Sequence, residues 1–142
     1  MAEPQADIRD LEHTADLGVE ITADSLSSLF AASGQALFGL MANLQHIEIK
    51  EEIRVSATGQ GSEELLHGWL CELLAQFNIS GFIAKSCTID HVAEDRVEGR
   101  LSGETLDLKR HDFFTEIKGV TYHDFKVWQE DGLWRARMIF DV

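Results

Sequence analysis

The sequence predicts an α+β, two-layer fold in which two one-sided helices pack on one face of a mostly antiparallel sheet. Three observations carry this expectation. Two stretches repeat apolar residues at spacings of three and four, the signature of a helix with a single buried face. Most of the remainder alternates apolar and polar residues with period two, as half-buried strands do. The Asp131-Gly132 pair then separates the last two alternating segments, and such a pair favours a tight antiparallel hairpin.

Val19 and Ile21 open the pattern as a strand. Leu26, Leu29, Phe30, Leu37, Leu40, Met41 and Leu44 form the first helical row, completed by Ser33, with Asp24 or Ser25 as its cap. Ile53, Val55 and Ala57 alternate as a second strand. Leu66, Trp69, Leu70, Leu73, Leu74 and Phe77 form the second helical stripe, with Ser62 as expected cap and Gly81 as stop. Glu63 and Glu64 fall in its first turn, where the helix dipole favours them. Residues 83–89, 97–101, 113–120, 125–128 and 134–140 read as further strands, with Glu94-Asp95 turning an earlier hairpin. No linker or repeat interrupts residues 1–142, which are expected to form a single domain.

The composition is that of a globular protein. Of 142 residues, 44% are apolar and 26% charged, and there is one proline. A net charge of -13 repels nucleic-acid phosphates, so autonomous RNA or DNA binding is not expected. The same charge suits cation binding or docking on a basic protein surface, with plain solubility as the alternative. Residues 1–7 lack the basic start and apolar stretch of a signal peptide, and no apolar run approaches the ~20 residues of a membrane span. Cys71 and Cys87 are too few for a disulfide framework; both are expected to be reduced and buried, and the compartment to be the cytoplasm.

Three segments could carry chemistry. His13-Thr14-Ala15-Asp16-Leu17-Gly18, with Glu12 beside it, places a carboxylate in a turn before a strand. Asp16 there either offers oxygens to a hard cation or bonds its own turn. At the other end, the apolar alternation of Trp134, Ala136, Met138 and Phe140 runs almost to Val142, so the end is expected to be held in the sheet. The Asp141 side chain and the Val142 terminal carboxylate then lie together and repel unless a cation intervenes or both face water. In residues 115–124, Glu116 and Lys118 share a strand face, either as a site or as an ordinary surface pair. His123 and Asp124, adjacent in a strand, are expected to point apart. No phosphate-binding glycine loop, no Gly-x-Ser-x-Gly elbow and no zinc spacing is present, and no catalytic apparatus is visible.

Taken in order, these residues resemble the archease family. The resemblance rests on His13-Thr14-Ala15-Asp16, Leu37-Phe38-Gly39-Leu40-Met41, residues 65–77 and Thr115-Glu116-Ile117-Lys118. It continues through Val120-Thr121-Tyr122-His123-Asp124 and Trp134-Arg135-Ala136-Arg137 to the closing Asp141-Val142. It implies a non-catalytic accessory protein of an RtcB-type RNA ligase, acting in tRNA splicing and RNA repair. The accessory promotes guanylylation of the ligase's active-site histidine and sustains multiple turnover. The family's metal ligands match Asp16, Asp141 and Val142, with calcium the usual ion and another divalent cation the alternative. Its functionally important lysine matches Lys118. Asn43 departs from the family pattern, where many relatives carry aspartate, as does Gly119, where alanine is common. The competing readings are a small metal-dependent hydrolase using Asp16, Asp141 and His123, and a general protein chaperone.

Overall fold

In the structure, a computed structural model describing residues 6–12 and 16–142, both helical rows become helices. α1 spans Leu26–Met41 and α2 spans Ser62–Ser80. Ser25 caps α1, its Oγ accepting from the Ser28 backbone N–H at 3.1 Å. Ser33, fully buried in the apolar row, donates its hydroxyl to the Leu29 carbonyl at 2.7 Å. The expected Ser62 cap of α2 is corrected. Gly61, at φ 91°, occupies the cap position without a side-chain bond, and Ser62 is already inside the first turn. The Glu64 carboxylate instead accepts from the Gln60 N–H. Gly81 ends the helix in the left-handed conformation at φ 71°, as its position predicts.

Among the described residues, eight strands follow the order β1 (Ala6–Glu12), β2 (Asp16–Ala23), β3 (Glu51–Thr58), β4 (Phe82–Val92), β5 (Arg96–Thr105), β6 (Gly119–Val120), β7 (Lys126–Glu130) and β8 (Leu133–Asp141). Every described pairing is antiparallel, but the strands divide between two sheets. One runs β1-β2-β8-β6 with β7 also on β8, and the other runs β3-β5-β4. α1 packs on β4 and β2, and α2 on β3, so the helices join the two sheets around one core. Gly34 permits that approach. A Cβ there would lie 2.7 Å from Cys87 Sγ and 2.9 Å from Leu73 Cδ1, closer than packed carbon tolerates.

β1 was not expected from the sequence, because Ile8 and Leu11 are spaced by three and break the period-two pattern. The expected strand over 113–120 shrinks to Gly119–Val120. Phe113 makes a single bridge to Ala42, and the Phe114 N–H donates to the Met41 carbonyl, so α1 captures this stretch before it can join a sheet. The Asp131-Gly132 turn closes the β7–β8 hairpin with φ of 55° and 76°, the backbone such a turn requires. On β8 the core-facing Ala136, Met138 and Phe140 are fully buried, which anchors the strand up to Asp141. Burying a side chain the size of Met or Phe contributes about 1.5–3 kcal/mol.

Candidate functional site

Three strand ends meet at one edge of the larger sheet. Asp16, the first residue of β2, lies opposite Asp141, the last residue of β8, and Gly119 of β6 lies opposite Asp141 on its other side. Residues opposed in antiparallel register share a sheet face, with Cβ atoms about 4.5–5.5 Å apart. The two carboxylates therefore belong to one cluster although 125 residues of sequence separate them (141 minus 16). A Cβ on Gly119 would lie 3.8 Å from Asp141 Oδ2, so that carboxylate sits beside the glycine. The Lys118 N–H donates to the Asp141 carbonyl at 2.7 Å, and the Lys118 side chain is exposed at this edge. Val142 follows Asp141 and is partly exposed. His13, Thr14, Ala15 and the Glu12 side chain lie outside the described residues.

Among the described residues no basic side chain forms an ion pair with Asp16 or Asp141. Carboxylates that are exposed, as Asp141 is, or half-buried, as Asp16 is, and that lack a cationic partner have the chemistry that calcium or magnesium takes. Among the described residues no three His, Cys, Asp or Glu side chains cluster as a metal site. Asp16 and Asp141 by themselves offer two carboxylates, fewer oxygens than a hard cation's usual shell.

Several residues lie elsewhere than expected. Glu116 and Lys118 share no strand face, because residues 114–118 are outside any strand. His123 and Asp124 do meet, with Nε2 and Oδ2 3.4 Å apart. Asp124 adopts φ 55° in a turn, which removes the alternation expected of a strand. Cys71 is exposed rather than buried, one position past the Leu70 face of α2. Partial burial and then the Glu72 charge still push its thiol pKa up. Cys87 is buried, which pushes its thiol up to about 12.

Two polar clusters escaped the sequence reading. Glu104, on β5 and 3% exposed, accepts from the Glu48 N–H at 2.6 Å, Arg110 Nη2 at 2.5 Å and His111 Nε2 at 3.1 Å. Burial pushes its pKa up, but those donors outweigh burial and hold it at about 2. This cluster ties the 106–112 loop to β5, just before the segment leading to Lys118. On α2, His67 Nε2 donates to the Val120 carbonyl at 2.7 Å. The Glu48–Glu104 and His67–Val120 bonds join residues 56 and 53 apart in sequence, and only the buried polar side chains hint at them.

The archease protein family model matches residues 9–142. The chain belongs to the archease family. Archeases of Methanopyrus kandleri and Pyrococcus furiosus are 37% and 35% identical to it, covering 94% and 92% of this chain and 97% and 95% of their own. The solution structure of a Methanobacterium thermoautotrophicum protein superposes with a TM-score of 0.82 at 30% identity, covering 95% of this chain and 98% of that one. A Thermotoga maritima archease, described as a possible chaperone, shares the fold with a TM-score of 0.63 at 21% identity over 94% of this chain and 96% of its own. The two-helix antiparallel α+β architecture expected of an archease is thus shared with solved relatives. Among the described residues no helix is long and apolar enough to cross a membrane.

Proposed function

We propose that this archease is a metal-binding, non-catalytic accessory protein of the cytoplasm that activates an RtcB-type RNA ligase in tRNA splicing and RNA repair. It would do so by promoting guanylylation of the ligase's active-site histidine, so that the ligase turns over repeatedly. The observation that carries this reading is the register pairing of Asp16 with Asp141 beside the Lys118–Gly119 backbone. Asp16, Asp141 and the Val142 carboxylate would hold the cation, most readily calcium, whose charge offsets their mutual repulsion. Lys118 adds a mobile point charge on a long stem, able to reach a phosphate or a partner carboxylate. An accessory of this kind works by binding the productive ligase conformation more tightly than the resting one.

The test uses a purified ligase with GTP, calcium and this chain. Faster guanylylation and repeated RNA joining on adding the chain are expected, with no turnover of GTP or RNA by the chain alone. Turnover by the chain alone would support the hydrolase reading. Suppressed aggregation of unrelated clients without ligase stimulation would support a general chaperone.

A further inference from the structure

β6 is two residues long and pairs with β8 along one edge only. Two backbone bonds flank that pairing: Lys118 N–H to the Asp141 carbonyl at 2.7 Å and Thr121 N–H to the Ile139 carbonyl at 3.1 Å. So short a ladder holds its segment weakly unless something engages its other edge. There the Val120 carbonyl accepts from His67 Nε2 at 2.7 Å.

His67 is an unusual residue for this position. It is 9% exposed, on a helix whose other buried side chains are apolar. A carbonyl only accepts, so the bond to Val120 places the ring proton on Nε2 and leaves Nδ1 as an acceptor. Cys71, one helical turn on, places its Sγ 3.6 Å from Nδ1 and can donate its thiol proton there. The Tyr122 ring stacks on the imidazole at 3.7 Å and 12°, and Phe125 meets it edge-on at 5.4 Å. The ring is therefore held on its faces by the segment it bonds and at its second nitrogen by its own helix. An apolar residue could fill the space but would leave the Val120 carbonyl without this donor.

We propose that His67 is a positioning residue that locks β6 between α2 and β8, and so fixes Lys118 and the Gly119 backbone beside the Asp16–Asp141 carboxylates. The functional consequence rests on the accessory reading above; the locking itself does not. Anchoring from α2 also makes the position of Lys118 depend on a helix in the core rather than on the sheet edge alone.

Amide hydrogen exchange and calcium titration test this on three forms of the full chain. His67→Phe keeps the stack with Tyr122 but loses the donor, whereas His67→Gln keeps a donor. In His67→Phe, the Lys118 and Thr121 amides should exchange about five- to tenfold faster, while amides of the β2–β8 ladder keep the parent rate. Calcium affinity and ligase stimulation should fall with them, and His67→Gln should recover most of each effect. Parent-like protection of Lys118 and Thr121 in folded His67→Phe would overturn the proposal. If His67→Phe does not fold, nitrogen NMR of the parent ring near neutral pH decides instead. A protonated Nε2 with an acceptor Nδ1 supports the lock, and the opposite tautomer overturns it. Should the parent bind no calcium, the accessory reading fails while the amide rates still decide the role of His67.

Discussion

Replacing Asp16 with Asn separates the two effects that a carboxylate has at this edge. Without metal, Asp16 and Asp141 are like charges on opposed positions of β2 and β8. At about 5 Å and the dielectric of water, their repulsion is about 1 kcal/mol, less at physiological salt. Asp16→Asn removes that repulsion and keeps the shape, so the metal-free variant should be as stable as the parent or up to about 1 kcal/mol more stable. For a domain of this size each kcal/mol corresponds to a shift of roughly 2–4 °C. With calcium at a hundredfold excess over Kd, ligand binding should stabilise the parent by about 2.7 kcal/mol, or roughly 5–11 °C. Asp16→Asn should lose most of that increment. Thermal melts of both proteins, with a chelator and with calcium, give all four values. A full calcium shift in the variant removes Asp16 from the site. A clear destabilisation of the metal-free variant would show that Asp16 supports the fold through bonds rather than straining it through charge.

Lys118→Ala should fold and bind calcium like the parent, its stability changed by no more than about 0.5 kcal/mol, yet fail to stimulate ligase guanylylation; Lys118→Arg should recover only part, and normal stimulation by Lys118→Ala would make this an ordinary surface lysine. Extending the chain past Val142 moves the terminal carboxylate and should weaken calcium binding and ligase activation, whereas an equal extension before Met1 should not; identical titrations of the two forms would refute the role of that carboxylate. Glu104 has a pKa depressed from 4.5 to about 2, so its stabilisation is complete above 4.5 and is lost as pH falls towards about 2. Allowing for solvent screening, Glu104→Gln should cost about 1–2 kcal/mol near neutral pH and flatten the urea-midpoint profile across that acid window, and parallel profiles would refute this.

Both helices, the antiparallel hairpins and the anchoring of the C-terminal strand were legible in the sequence, because each rests on local periodicity or turn chemistry. The row from Leu26 to Met41 can bury itself only as a helix, and Asp131-Gly132 accepts the positive φ that the last hairpin demands. The resemblance to archeases added the expectation that Asp16, Asp141 and Val142 are metal ligands and Lys118 a functional lysine, which no spacing rule supplies. Tertiary structure decided the rest. The strands divide into two sheets because both helices bury apolar faces between them, a long-range packing choice that period-two alternation does not encode. Residues 113–118 were expected to continue a strand, but the end of α1 takes up the backbone at Phe113 and Phe114. Cys71 reads as buried beside Leu70 but is exposed in the folded helix, and nothing in the local pattern shows that the His67 imidazole reaches a carbonyl 53 residues away. Local pattern determines which residues turn inward; only the assembled sheet edge determines which carboxylates, cations and carbonyls then face one another.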